Sequence, residues 1–273
     1  MTELAWRAKD MLLGHHTSWT NNALDAVDIN ADQKEEIRIG CTVNDLCEIT
    51  NETYPFILPQ QILSSVITAN TVYESKDDIY QSFGTMPFLF SNLAIFQSHF
   101  GSLASLHAMA KKNQEAPDVT QKEISSWFDF FNILAVGSLA INPQARIYQD
   151  NAALRSLFFR CRKIEYRQLF DTENYLEIKS RAVGMMCHLI QDLFTFSHCE
   201  RNSKNEIRKF FYYELQDKEK HKQGDHVAAG LDQELLTQCK LCIENTARNI
   251  PYDYKQILIL SQDAQPSDGG NFT

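Results

Sequence analysis

The sequence predicts an all-α fold, and three observations support that prediction. Glycine and proline are scarce, with 10 and 7 residues in a chain of 273, which favours long helices over a turn-rich β architecture. Apolar residues recur at three- and four-residue steps along several stretches, as they do on one face of a helix. A chain of this length can bury a sizeable core. We therefore expect one large helical domain over residues 1–262, followed by a disordered polar tail over residues 263–273.

Local signals place the predicted helices in order along the chain. Prolines keep helices short between residues 55 and 87, and a longer helix follows over residues 89–110. The polar loop of residues 111–119 is the best internal boundary. Three capping boxes, in which Asp, Thr or Ser precedes Glu by three residues, open further helices: Asp32 with Glu35, Thr120 with Glu123, and Ser203 with Glu206.

The longest buried helix is predicted over residues 173–197, capped by Asp171 or Thr172. It contains no proline and carries apolar residues at helical spacing, namely Leu176, Val183, Met186, Leu189, Ile190 and Leu193. His188 and Asp192 are four residues apart, so they project from one face of this helix and can bind the same ion. His198 lies roughly 80° from His188 around a regular helix, so we expect the helix to end or bend near residues 195–197.

A second His/Asp pair with the same spacing follows the first. His221 and Asp225 are four residues apart, just beyond a helix predicted to carry Ile207 to Leu215. A lone histidine on an apolar helix is usually a core residue, and a single His/Asp pair arises by chance. Two pairs together with His198 instead predict a metal centre that holds more than one ion.

These five residues resemble the zinc-dependent phospholipase C and S1/P1 nuclease superfamily, whose members are all-helical enzymes with up to three zinc ions. The hallmark of the superfamily is a His, an Asp four residues later and a second His six residues after that, followed by a His and an acid four apart. His188, Asp192, His198, His221 and Asp225 match this order and spacing. The resemblance covers roughly residues 182–226 and implies a helical domain of that type, two or three zinc ions and phosphodiester hydrolysis.

The resemblance also implies ligands nearer the N-terminus. His16, or its neighbour His15, matches a ligand histidine close to the start of the family's chains. Asp45 matches an aspartate that is a metal ligand or the general base. His99 is the better match to a further ligand histidine, and His107 is its rival.

One family ligand has no counterpart here. In the exported members the N-terminal Trp binds zinc through its own amino group and carbonyl, whereas Trp6 of this chain is internal. The resemblance therefore implies that one ion is missing or held differently. The first residues also lack the apolar core of a signal peptide, and no stretch is long and apolar enough to span a bilayer. We expect a soluble protein that is cytoplasmic or exported by a non-classical route.

Charge and cysteine usage limit the other possibilities. The net charge of −9 and the pI near 5.4 argue against a general basic surface for nucleic acid. The one basic cluster fits a solvated helix face better than a phosphate-binding site; it comprises Arg155, Arg160, Arg162, Lys163 and Arg167. Seven cysteines without disulfide-framework spacing indicate thiols in a reducing compartment, and Cys239 with Cys242 reads as a pair of structural thiols.

The expected reaction is phosphodiester hydrolysis. Zinc ions would activate water for attack on phosphorus, and Asp45 would orient or deprotonate that water. Phospholipid is the favoured substrate over nucleic acid. Two alternatives remain: a nuclease or nucleotidase with the same metal chemistry, and a non-catalytic helical interaction protein whose metal site is structural.

Overall fold

A computed structural model gives the fold, and it is mostly helical with one small sheet, as the composition predicts. None of its described helices is long and apolar enough to cross a membrane. For residues 14, 15 and 44–46 only the backbone is described. The structure describes residues 14–46, 98, 101–137, 141–159, 162–216, 221 and 231–270.

The helices pack around one that is buried on every side. Among the described residues the α-helices are α1 (Gly14–Asp25), α2 (Ala31–Leu46), α3 (Pro117–Val136), α4 (Ile147–Asp150), α5 (Tyr166–Phe170), α6 (Tyr175–Phe194) and α7 (Asp232–Ala247). Every residue of α6 from Arg181 to Phe194 is buried, and α6 packs against α1, α2, α3 and α7. A helix that is enclosed on every side lies in the middle of a core, so the motif residues of α6 lie inside the molecule.

The ends of α6 agree with one prediction and correct another. The helix stops at Phe194, and Thr195 is extended, which confirms the expected break before Ser197. The N-terminal cap is Asn174, whose side chain accepts a hydrogen bond from the Leu176 N–H at 3.0 Å. The predicted caps Asp171 and Thr172 were wrong, because Asp171 adopts a left-handed conformation that ends α5.

Helices α2 and α6 cross with their backbones in direct contact. A Cβ added to Gly184 would overlap the carbonyl oxygen of Ile37 and lie 2.5 Å from the backbone nitrogen of Cys41. A Cβ added to Gly40 would overlap the carbonyl oxygen of Arg181. Real Cβ atoms do not approach backbone so closely, so only glycine fits at either position.

Two of the predicted capping boxes at helix starts were also wrong. The cap of α2 is Asn30, whose Oδ1 accepts a hydrogen bond from the Gln33 N–H at 2.8 Å, so the box of Asp32 with Glu35 does not form. Helix α3 begins at Pro117 rather than at Thr120. Proline is favoured in the first turn because its missing N–H has no partner there.

A β-hairpin replaces the helix predicted after Ser203. Strand β1 (Cys199–Arg201) pairs antiparallel with β2 (Ile207–Phe210). Their turn is held by the Asn202 side chain, which accepts hydrogen bonds from the N–H groups of Lys204 and Glu206. The Glu206 carboxylate accepts a hydrogen bond from the Asn202 amide at 2.7 Å, so it takes part in the turn rather than capping a helix.

The helix predicted over residues 89–110 does not extend through its last third. Residues 104–107 form a 3₁₀ turn, and Ala108 is left-handed with φ of 54°. Beyond it, the Ala110 N–H donates to the Phe211 carbonyl at 2.9 Å. Pairing with the segment after β2 therefore replaces continued helix, and it leaves His107 at the end of the 3₁₀ turn.

The C-terminal segment packs on this same region. Residues 263–270, which we expected to be disordered, run as a strap across the loop after Ala110. The Tyr212 N–H donates to the Asp268 carbonyl at 2.7 Å, and the Ser267 N–H donates to the Glu115 carbonyl at 3.0 Å. Polar composition predicted disorder, but hydrogen bonds to the rest of the fold order these residues.

Glu115 lies buried beneath the strap. Its backbone N–H donates to the Ser267 hydroxyl at 2.8 Å, and its side chain is shielded from solvent. Burial and the neighbouring Glu123 raise the pKa of the Glu115 carboxyl, although Lys111 and Lys112 offset part of that rise. The folded chain therefore keeps the Glu115 proton to a higher pH than the unfolded chain does.

We predict that Glu115→Gln stabilises the protein at neutral pH but not in acid. Below the ordinary glutamate pKa of 4.5 the folded and the unfolded chain both hold the proton, so the ionisation of Glu115 does not lower the free energy of unfolding. As the pH rises from there through the raised folded pKa, the unfolded state releases the proton first and the free energy of unfolding falls. At pH 7 we expect Glu115→Gln to gain roughly 1 kcal/mol, measured by urea unfolding from pH 4 to pH 8.

The control is Glu173→Gln, since the Glu173 side chain is 64% exposed. Its effect should stay within about 0.5 kcal/mol across the same range. If Glu115→Gln raised the free energy of unfolding equally at pH 4 and pH 7, the raised pKa of Glu115 would not be the cause.

Candidate metal centre

Four histidines surround the carboxylate of Asp192. Oδ2 lies 3.1 Å from Nδ1 of His107 and 3.3 Å from Nε2 of His188. Oδ1 lies 3.7 Å from Nε2 of His16 and 3.9 Å from Nε2 of His198. The ligand atoms of His16, His188 and Asp192 all lie within 4.8 Å of one another. One small volume thus contains several groups that bind divalent cations.

These groups come from separate parts of the chain. His16 lies on the first turn of α1, and His188 and Asp192 lie one turn apart on α6. His107 ends the 3₁₀ turn Ala104–His107, and His198 directly precedes β1. The predicted four-residue spacing is confirmed as one-face geometry, while the other histidines reach the site only through tertiary structure.

Acceptors behind the site orient three of the imidazoles. The Nδ1 of His188 lies 2.8 Å from the Cys41 carbonyl oxygen, and that of His16 lies 2.7 Å from Oε1 of Gln191. The Nδ1 of His198 bonds to the His107 carbonyl. Because a carbonyl oxygen only accepts, Nδ1 carries the proton in each ring. In the neutral imidazole Nε2 is then the electron-pair donor, and Nε2 is the atom that faces Asp192 in all three.

The orientation of the Gln191 amide is itself determined by its neighbours. Its Nε2 donates to the Thr20 hydroxyl at 2.8 Å, and that hydroxyl donates to the Cys41 sulfur at 3.1 Å. The carbonyl end of the amide therefore points to His16. Such outer contacts are typical of metal-binding histidines, since they select the tautomer and orient the ring.

Asp192 is ionised at this position. Burial alone raises the pKa of its carboxyl, yet His188, His198 and the hydrogen bond from His107 together hold that pKa well below its usual range. Among the described residues, none donates a hydrogen bond to Oδ1. A buried carboxylate oxygen that faces imidazole nitrogens without a hydrogen bond suits a cation, which would replace the protons that otherwise balance the charge.

No protein-family model, curated protein or solved structure matches this chain.

A further histidine, His221, lies beside His198. The His221 ring is 5.2 Å from the His198 ring, and its Nδ1 bonds to Oε1 of Gln216. The Gln216 amide nitrogen donates to the Ser197 carbonyl at 2.5 Å, which again directs the amide oxygen to the imidazole. His221 is buried. The same orienting device therefore serves His221.

Some sequence-predicted ligands fall where the structure gives no side chain. His99 and Asp225 lie outside the described residues, and Asp45 lies on the last turn of α2 with only its backbone described. The same holds for His15 on α1. The structure brings His16, His188, Asp192 and His198 together, and the His221 ring lies beside that of His198.

His107, the rival of His99, approaches the Asp192 carboxylate directly, while His99 lies outside the described residues. The sequence kept His107 as the rival because it follows His99 by eight residues, near the same face of the predicted helix. Cys41 and Gln191 were missed altogether as orienting residues. A backbone carbonyl and a lone glutamine have no local pattern that sequence reasoning detects.

Buried thiols pack behind the ligands. Cys41, Cys187, Cys239 and Cys242 are buried and form no disulfide. Burial is the main cause that raises the pKa of Cys239 well above its usual value. Thiolates rather than thiols bind metals, so Cys239 serves packing, in keeping with its interpretation as a structural thiol.

We predict that Gln191→Leu weakens zinc binding by about 10- to 100-fold, because it removes the acceptor that orients His16. Gln191→Glu keeps an acceptor oxygen and should retain most of the affinity. Competition with a chromophoric chelator measures both.

Gln238→Leu is the matched control. It also removes a buried amide, and the hydrogen-bond partners of that amide are Tyr252 and Glu234 rather than a histidine of the site. Equal losses in Gln191→Leu and Gln238→Leu would show that the effect arises from general destabilisation.

Proposed function

We propose that this chain is a zinc-dependent phosphodiester hydrolase whose reaction takes place at Asp192. The observation that carries the proposal is the buried carboxylate facing four histidines, three of which donate a hydrogen bond from Nδ1–H to a carbonyl acceptor. An ordinary buried ion pair has no need for this tautomer in three rings. A metal centre does, because each Nε2 must offer an electron pair.

The ligand types favour zinc. Imidazole nitrogen with carboxylate oxygen is a common zinc set, whereas magnesium and calcium prefer oxygen alone. Manganese and iron accept similar ligands, so the metal identity is part of the test. His198 and His221 support a second ion beside the first, as the resemblance to the zinc phospholipases and nucleases implies.

Zinc held here would lower the pKa of water and polarise a phosphoryl oxygen. Asp192 offsets part of the positive charge, and the Cys41 carbonyl and Gln191 keep His188 and His16 oriented. We assign the general base to Asp45. It follows Cys41 by four residues on α2, so its Cα lies one turn further along the helix face that supplies the His188 contact.

Phospholipid is the substrate class we favour over nucleic acid. Phe196 and Leu215 are 45% and 53% exposed, and they precede Ser197 and Gln216, which are hydrogen bonded to each other. Two exposed apolar residues are therefore next in sequence to Ser197, which precedes His198, and to Gln216, which contacts His221. Apolar side chains beside a phosphate-binding centre suit acyl chains, and the net charge of −9 disfavours a polyanion.

We predict that Asp192→Asn lowers bound zinc and lowers kcat/KM for phosphodiesters by at least about 100-fold. The assay uses bis(p-nitrophenyl) phosphate and dispersed phosphatidylcholine, with metal content from elemental analysis. Asp253→Asn, an exposed aspartate on the C-terminal side of α7, is the control and should leave both unchanged.

Two outcomes would overturn the proposal. Full turnover in Asp192→Asn would remove Asp192 from the reaction. Zinc retained by the wild type without turnover of any phosphodiester would leave a structural metal site. Cleavage of single-stranded oligonucleotides in preference to phospholipid would reverse the substrate assignment while retaining the metal chemistry.

A further inference from the structure

A basic and aromatic surface lies on the segment from α4 to α5, and it includes none of the residues of the metal centre. It is formed by Tyr148, Arg155, Phe159, Arg162 and Lys163, and we call it the basic surface. The sequence suggested a solvated helix face here, but residues 152–156 form turns and Leu157–Phe159 is a single 3₁₀ turn. The cations are therefore not spread along one helix face, and that explanation of the cluster was wrong.

The charge of this segment is opposite to that of the whole protein. Between Arg146 and Lys163 the sequence has five Lys or Arg residues and one acid, Asp150, in a chain of net charge −9. Arg155, Arg162 and Lys163 are exposed, and none of them forms an ion pair with a described residue. By contrast, Arg167 nearby pairs with Glu165 and Glu173. The basic surface thus presents cations that are available to an anionic partner.

One aromatic ring is exposed among these cations. Phe159 is 60% exposed, whereas the adjacent Phe158 is fully buried in the core. The Arg162 guanidinium lies over the Phe159 ring at 4.1 Å and near the Tyr148 ring at 5.2 Å. This contact orients an apolar ring and a cation together at the surface.

The backbone carbonyls around Phe159 are satisfied by the same arginines. Nε of Arg155 donates to the Tyr148 carbonyl at 3.2 Å, and Nε of Arg162 donates to the Phe159 carbonyl at 3.0 Å. Carbonyl groups that already have partners lose less on contact with a medium of low polarity. The segment is therefore suited to contact lipid.

We propose that the basic surface docks the protein on an anionic phospholipid membrane. Phe159 would enter the interface while Arg155, Arg162 and Lys163 bind lipid phosphates. Single-stranded nucleic acid is the lesser fit, because its binding sites use several rings along a basic groove. Among described residues 141–159 and 162–170, Phe159 is the one exposed aromatic ring.

One hydrogen bond joins the segment that carries the basic surface to the segment that precedes His107. The Ser102 hydroxyl donates to the Leu157 carbonyl at 2.5 Å, and Ser102 precedes His107 by five residues. A surface that meets lipid next to this segment would concentrate the protein where phospholipid is present. Membrane docking itself does not depend on hydrolysis, so it is tested separately from the proposed reaction.

The test is flotation with vesicles of phosphatidylcholine alone or of phosphatidylcholine with phosphatidylserine. We expect the wild type to bind the anionic vesicles and not the neutral ones, less strongly at high salt. Arg155→Glu with Lys163→Glu should lower the affinity by about tenfold or more. Phe159→Ala should lower it by about three- to tenfold.

Matched controls come from exposed residues elsewhere. Arg248→Glu with Lys255→Glu makes the same change of charge, and Ile250→Ala removes an apolar side chain that is 50% exposed. Both should bind as the wild type does, and so should His188→Ala, which tests the metal centre alone. Circular dichroism and thermal unfolding confirm that each variant folds.

Three results would overturn the proposal. The wild type fails to bind anionic vesicles, the charge controls lose affinity as much as Arg155→Glu with Lys163→Glu, or the basic-surface variants lose binding to a fluorescent oligonucleotide but keep binding to vesicles. The third result would assign the basic surface to nucleic acid.

Discussion

The candidate site depends on the direct backbone contact between α2 and α6. Gly40 immediately precedes Cys41, and Gly184 lies one helical turn before His188. Because neither glycine has a Cβ, the two helices approach closely enough for the Cys41 carbonyl to lie 2.8 Å from Nδ1 of His188. A side chain at either glycine would push the helices apart by more than the narrow distance range of a hydrogen bond allows. The tautomer of His188 thus follows from a helix crossing.

Burial makes that arrangement rigid, and it also imposes a desolvation penalty on the Asp192 carboxylate. Helix α6 is enclosed by α1, α2, α3 and α7, so the Asp192 carboxylate sits in the core with little access to water. An ionised group there is stable only with compensating charge, which histidine protons or a bound cation provide. Binding of a cation would therefore also stabilise the fold, and the site and the core form one energetic unit.

Sequence reasoning was strongest where the pattern was local. Helical periodicity and the four-residue step identified α6, its end near Thr195 and the shared face of His188 and Asp192. It failed at the hairpin, because Ser203 and Glu206 satisfy a capping-box pattern while the Asn202 side chain and the left-handed Asn205 form a turn. A local pattern does not reveal whether the rest of the fold will stabilise a helix cap or a hairpin turn at these residues.

The contacts that complete the site were out of reach for a different reason. The contact of Gln191 with His16 and that of the Cys41 carbonyl with His188 each join residues more than 140 positions apart in the sequence. Nothing in their immediate neighbours distinguishes a glutamine that orients a ligand from one that fills space. Only the packing of α1, α2 and the 3₁₀ turn against α6 gives these groups their roles.

Two separate structures converge on Asp192. The helical half, formed by the α2–α6 crossing and α1, orients His188 and His16. The other half is a hydrogen-bonded series in which the strap binds Tyr212, Phe211 binds Ala110 and His198, and the His198 ring binds the His107 carbonyl. Oδ2 of Asp192 faces His188 of the helical half and His107 of the other half. Oδ1 faces His16 of the helical half and His198 of the other half. Each carboxylate oxygen therefore joins the two halves, so that the geometry needed to hold a cation exists only when both are folded.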